Sequence, residues 1–310
     1  LYRTDDFPFA YAESKDPFSA ARDGILRRPD TDPVMFTTQG STEYWERRAS
    51  LVHTDGRGNY VADHPRSRNY LLRSAPHDPV PYVEPIDEFC AYPRNLLRSS
   101  ATLRALLVAL DEWATSGAPP PDSAVPKLED GTGAPAGEVL AAFPRRAGQV
   151  LPRSENRHFV TDYGADIESG IFGVEPPRVD PAREYVQIVS RTDADGNERA
   201  GLPTPYSLVP VATYAGWNLR THSRTPSVMP GCMGSQHPLP RTAEDAASTG
   251  DPRIPIAERY RHPEDYVARI KAAADQLVAQ RSLLVEDAER YVASARDIAA
   301  SMTAVVPETA

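Results

Sequence analysis

Two short apolar runs near the start of the chain each end in a turn of small residues. Each turn presents one side chain able to hold or steer a proton. Residues 33–38 are β-rich, bounded by Pro33 and Gly40, and read as a buried strand. Ser41, Thr42 and Glu43 follow directly. Residues 68–73 read as the next strand, after which Ser74, Ala75 and Pro76 lead into His77 and then Pro79. Glu43 and His77 are 34 positions apart, room for one helix and one strand between the two turns. Each turn then stands at the carboxyl end of its strand.

A carboxylate in the first turn can accept a hydrogen bond from an imidazole, fix its tautomer and stabilise the imidazolium formed during reaction. A histidine in the second turn can act as general base toward a nucleophile and then as general acid toward the leaving group. Glu43 and His77 are therefore the candidate catalytic residues. Taken alone, Glu43 also reads as a first-turn glutamate favoured by the helix dipole, and His77 as a surface-loop histidine. Asp78 competes as an acid, although side chains of adjacent residues rarely point at each other.

No Gly-x-Ser-x-Gly turn occurs in the chain, and Gly40-Ser41-Thr42-Glu43 is not one. No phosphate-binding glycine loop or dinucleotide fingerprint occurs either. Cys232, in the loop-like stretch 231–237, and Ser41 are the alternative nucleophiles within the chain; for Cys232 a structural turn is the plainer reading. Of the other histidines, His53, His64, His158, His222, His237 and His262, no pair has helical metal-ligand spacing, so neither a metal nor a cofactor is expected. Asp193-Ala194-Asp195-Gly196-Asn197 invites a calcium reading, but the twelfth position of such a loop is Thr204 instead of a glutamate. It reads instead as the turn of a β-hairpin whose arms are 184–191 and 198–202.

The length, 310 residues, suffices for a sizeable core. The net charge of −9 argues against nucleic acid or an anionic membrane surface as the main partner. No apolar run approaches the roughly 20 residues of a membrane span. The 31 prolines point to long irregular connections. Two cysteines, Cys90 and Cys232, are too few for a disulfide framework and leave open either one bridge or two thiols.

Elsewhere the pattern predicts a helix over 42–52, with Ser41 or Thr42 as its cap and Tyr44, Arg48, Leu51 and Val52 on one face. A second helix begins after Ser99, with Leu103, Leu106, Leu107, Leu110 and Trp113 as a core-facing stripe, and ends at Gly117. Residues 118–182, rich in Pro, Gly and Ala, suit a boundary or a covering segment. A strand is expected over 208–214. The tail reads as an αα-hairpin, 263–281 and 286–302. Tyr266, Ile270 and Leu277 face Ala288, Tyr291, Val292 and Ala295 across the turn Ser282–Val285.

Several blocks, in order along nearly the whole chain, resemble the large bacterial α/β-hydrolase-domain proteins that include serine esterases. They are Asp5 through Phe9 with Asp16-Pro17, Ser41 through Trp45, Ala49 through Thr54, Arg104 through Trp113 and Asp193 through Glu198. Ala212 through Arg220, Gly250 through Arg253 and Glu258 through Tyr260 complete the set. The resemblance implies an α/β fold: the C-terminal part of an α/β-hydrolase sheet, with irregular covering segments, a β-hairpin and a C-terminal αα-hairpin. It implies residues 1–32 as a covering segment, 33–132 as the C-terminal half of the core and 133–310 as a family-specific region packed on that core. It assigns Glu43 the acid position and His77 the base position, and it places the nucleophile elbow N-terminal to everything present here. A second polypeptide carrying the N-terminal half is then the expected partner, arising from one precursor cut near Leu1, and a small-molecule ester the expected substrate. The alternative is a non-catalytic binding or assembly module that keeps the scaffold alone.

Overall fold

The computed structural model describes residues 6–80, 89–221, 228–231 and 233–302. Asp5, His222 and Cys232, and with Cys232 the questions of a bridge to Cys90 and of a cysteine nucleophile, lie outside them.

The N-terminal segment carries two short strands, β1 (Ser14–Lys15) and β2 (Arg22–Asp23), paired antiparallel. Strand β3 (Met35–Gly40) leads into helix α1 (Ser41–Glu46), a 3₁₀ turn over Ala49–His53 and strand β4 (Ser67–Leu72). β3 and β4 pair parallel in register, Met35 opposite Ser67 through Gly40 opposite Leu72. This is the expected strand–helix–strand unit. The helix is shorter than the apolar pattern predicts, because Arg48 takes a left-handed conformation (φ 63°) and turns the chain. The Tyr44 hydroxyl then lies 3.0 Å from His53 Nε2. Neither Ser41 nor Thr42 caps α1; Gly40 occupies the cap position, and both hydroxyls are engaged elsewhere.

The period of two in β4 divides its side chains between two layers. Leu71 joins a cluster with Tyr44, Trp45, Val139, Phe143 and Trp217. Tyr70 and Leu72 pack on the other face with Ala75 and Leu106. Burial on both faces is characteristic of a parallel strand. The far edge of β4 is closed by backbone hydrogen bonds: Leu71 N donates to Ala124 O (2.8 Å) and Arg73 N to Leu202 O (2.9 Å). The far edge of β3 pairs with no other strand among the described residues.

Helix α2 (Ser100–Ser116) ends at Gly117 as the sequence indicates, with a left-handed glycine (φ 74°) whose N–H bonds Trp113 O. The predicted stripe packs inward except at one position: Leu106 is buried, Leu103, Leu110 and Trp113 are half-buried, and Leu103 and Trp113 pack on the β3–β4 layer. Ala101, Thr102, Ala105, Leu106 and Ala109 are buried, while Leu107 is 66% exposed. The small residues let α2 approach two surfaces at once. Ala101 belongs to the C-terminal helical cluster and Leu106 to the β4 cluster, and Arg104 forks onto Asp287 (2.9 and 2.6 Å).

Strand β5 (Gly133–Ala134), helix α3 (Ala136–Ala142) and strands β6 (His158–Asp162), β7 (Arg178–Tyr185) and β8 (Val189–Ser190) follow. β6 pairs with β7, and β5 with β8. The arms predicted around Asp193–Asn197 meet only beside the turn, where Asp193 N donates to Asn197 O (2.8 Å) and Arg199 N to Arg191 O (2.9 Å). They share one antiparallel bridge, Thr192–Glu198, and β8 has β5 as its strand partner. The Asp193–Asn197 turn is a clamp: Asn197 Nδ2 donates to Ala212 O (3.1 Å), and Tyr214 N donates to Asn197 Oδ1 (2.8 Å).

Helix α4 (Pro205–Leu208), with a reciprocal Thr204–Ser207 cap, takes Leu208 from the strand predicted over 208–214, and residues 209–211 are irregular. Strand β9 (Ala212–Ala215) pairs with β10 (Ser235–Pro238). Helices α5 (Ala243–Thr249) and α6 (Ile256–Arg259) lead to α7 (Pro263–Ala279) and α8 (Val285–Met302). Between α5 and α6, Arg253 is buried with every guanidinium donor matched. It forks onto Asp251 and donates to Thr213 Oγ1, His237 O and Pro238 O at 2.8–2.9 Å. The Gly250–Arg253 block thus fastens the tail to the β9–β10 pair. α7 and α8 share a cluster built on Tyr266, Ile270, Leu277, Tyr291 and Ala295. No described helix is long and apolar enough to cross a membrane.

Candidate active site

The ends of β3 and β4 lie side by side because the strands are parallel and in register. The turns that follow are tied together by their backbones, Ser41 N donating to Ala75 O (2.8 Å). Gly40 is required by space, not by conformation. A Cβ there would lie 2.8 Å from both Glu43 Oε2 and Pro76 O. Its absence lets the two turns close on each other.

Glu43 and His77 meet across this junction. His77 Nδ1 hydrogen-bonds Glu43 Oε1. The Thr42 hydroxyl donates to the other carboxylate oxygen, Oε2 (3.0 Å). The Glu43 side chain is 10% exposed and that of His77 is 62% exposed. The acid is thus held inside and the imidazole stands at the surface, with Nε2 outside the pair. An imidazole whose Nδ1–H is fixed by a carboxylate presents Nε2 as its basic nitrogen.

A third carboxylate lies at the same junction. The Glu198 Oε2 atom accepts from the Ser41 hydroxyl (2.5 Å) and from Ser74 N (2.7 Å), and Glu198 N donates to the Ser74 hydroxyl (3.2 Å). Its other oxygen, Oε1, is buried without a hydrogen-bond partner. Burial pushes the Glu198 carboxyl up to about 7; the Ser41 and Ser74 hydrogen bonds and the Arg73 guanidinium oppose that shift without cancelling it. Ser74 adopts a left-handed backbone (φ 58°), and its carbonyl accepts from Asn95 Nδ2 (2.7 Å). Sequence reasoning passed over Glu198 as the end of a turn block. It is 157 positions from Ser41, so no local pattern links them.

Ser41 is fully buried and its hydroxyl is committed to Glu198, so it is not placed to attack a substrate. Asp78 has no part in the pair. The other candidates are structural. Asp193 folds onto the N–H groups of Asp195 and Asn197, and Asp195 pairs with Arg259 (2.6 Å). His53 and His237 are held neutral by burial, each pushed down to about 3. Among the described residues no group of three or more His, Cys, Asp or Glu side chains gathers as a metal site. The large surface grooves, about 600 and 520 Å³ along α7 and α8, share no residue with the Glu43–His77 pair.

A family model described as an alpha/beta hydrolase domain matches residues 2–293. No curated protein matches the chain, and no solved structure does.

Proposed function

The chain belongs to the alpha/beta hydrolase domain family, and from that membership we propose that it supplies the acid, Glu43, and the base, His77, of a serine hydrolase. The substrate is a carboxylic ester. A companion chain carrying the N-terminal half of the fold supplies the nucleophilic serine and the oxyanion hole. Residues 33–132 then form the C-terminal half of the core, with 1–32 and 133–310 packed over it.

The observation that carries this reading is the His77 Nδ1–Glu43 Oε1 hydrogen bond at the carboxyl ends of two adjacent parallel strands. The order acid then base follows the hydrolase order of serine, acid, histidine. Nε2 of His77 takes the proton of the serine hydroxyl as the oxygen attacks the ester carbonyl. Glu43 stabilises the imidazolium, which then protonates the leaving alcohol. Water repeats the cycle on the acyl-enzyme. Two further observations support a companion for the sheet. The outer edge of β3 pairs with no described strand, and Leu107 on α2 is exposed on the stripe that periodicity marks as core-facing. An open parallel edge of this kind is a ready template for another strand.

The test is ester hydrolysis by the native protein with its companion. His77→Ala lowers kcat by about 10⁴-fold or more while the chain stays folded. The stability loss is about 1–3 kcal/mol, because the inward-held Glu43 carboxylate loses a partner. Undiminished hydrolysis by that variant removes His77 from the chemistry.

A further inference from the structure

We infer that Glu198 is a positioning residue for the Glu43–His77 pair: it straps the turn after β3 to the turn after β4 and so sets the reach between acid and base. The inference rests on the reading of that pair as the proton-handling centre, and it deepens that reading.

Glu198 meets both turns with one carboxylate oxygen. Ser41 begins α1 two residues before Glu43. Ser74 lies three residues before His77, in a left-handed conformation that sets the direction in which the chain leaves β4. Oε2 of Glu198 receives a donor from each. The backbone N–H of Glu198 returns a third bond to the Ser74 hydroxyl. The strap is therefore a ring of two hydrogen bonds with Ser74 and a third bond to Ser41, and it is buried. Glu198 is fixed in turn. Its chain neighbour Asn197 is clamped to β9, and Arg73 anchors the segment just beyond it through Ala200 O (3.0 Å) and Gly201 O (3.1 Å). Gly216 presses from the other side, where a Cβ would lie 2.6 Å from that of Ser41. The acid and base turns thus share a rigid support contributed from the third quarter of the chain.

A misplacement of about 1 Å between catalytic groups costs on the order of 10²-fold in rate. A side chain that touches neither substrate nor reacting atoms can therefore control kcat through the pair it holds.

The test uses the native protein and reads the His77 tautomer from the ¹⁵N shifts of its ring at alkaline pH, where the imidazole is neutral. In the wild type Glu43 holds the Nδ1–H tautomer. Glu198→Ala is expected to release the ring to the Nε2–H form favoured in water and to lower kcat by about 10²-fold with little change in KM. Glu198→Gln, whose amide oxygen still accepts from Ser41 and Ser74, is expected to keep both the tautomer and kcat within a few-fold. A wild-type tautomer in folded Glu198→Ala overturns the inference. If that variant does not fold, Ser41→Ala cuts the same strap, and a retained Nδ1–H tautomer there overturns it equally. The ring signal does not depend on hydrolysis. A tautomer that responds to Glu198 in a protein that hydrolyses no ester sinks the proposed function and leaves the strap standing. His77-dependent hydrolysis with an unresponsive tautomer does the reverse.

Discussion

The α7–α8 hairpin and the paired turns after β3 and β4 are held together by opposite means. The hairpin rests on a row of apolar contacts, Tyr266, Ile270 and Leu277 against Tyr291 and Ala295, where no single contact is decisive. The turns rest on single polar contacts: one imidazole nitrogen on one carboxylate oxygen, one glutamate oxygen shared by two donors, and one glycine with no room for a methyl group. Apolar packing is graded and tolerates exchange. Polar clamps made of single bonds are all-or-none, because each loss leaves a buried donor or acceptor unpaired. The first region sets stability and the second sets geometry.

That contrast also divides what the sequence made legible. The hairpin helices could be placed within about two residues because a 3.6-residue period repeats over several turns. The strand–turn–helix–strand unit was legible for a related reason: two apolar runs bounded by proline and glycine have few alternatives. Glu43 and His77 could be nominated because each sits at a turn that a strand delivers. On α2 the leucine stripe was legible except at Leu107, while the second buried contact was missed because Ala101, Ala105 and Ala109 carry little hydrophobic signal yet permit close approach. The shortened α1 was misread because Arg48 takes a left-handed turn that no proline or glycine announces. Glu198 escaped because its partners lie more than a hundred positions away.

The largest expected effect that sharpens the contrast comes from the hairpin. Ile270→Ala deletes a fully buried side chain and should cost about 2–5 kcal/mol in chemical denaturation. The His77 tautomer and the rate per folded molecule should stay as in the wild type. A changed tautomer would show that the two regions are coupled.

The next effect is a pH dependence that belongs to the turns alone. Burial pushes the Glu198 carboxyl up from its ordinary value, 4.5, to about 7 in the folded chain, and unfolding returns it. Between these values the folded state binds the extra proton, so its stability falls as pH rises from about 4.5 to about 7. Below 4.5 this contribution is fully present. At about 1.4 kcal/mol per pK unit the change is on the order of 3 kcal/mol. His53 and His237 act in the opposite sense, since each is held neutral in the fold and takes stability away as pH falls below 6.5 toward 3. Both are shared with Glu198→Gln, so the difference between wild type and that variant isolates Glu198. Parallel stability curves for the two proteins would contradict the assignment.

The smallest effect probes the hairpin's one polar flaw. The Tyr266 hydroxyl is buried without a hydrogen-bond partner. Tyr266→Phe should leave Tm unchanged or raise it, by up to about 1 kcal/mol in stability. A clear loss of stability would mean that this hydroxyl has an undetected role in packing.

In the proposed function, the imidazole of His77, steered by Glu43, activates a serine outside residues 1–310. Labelling the native protein with a fluorophosphonate, followed by peptide mapping, tests it most directly. The expected result is a single labelled serine outside residues 1–310, labelling lost in His77→Ala, and no label at Ser41 or Ser74. Labelling of His77→Ala at the wild-type rate, or a label on Ser41, would contradict it.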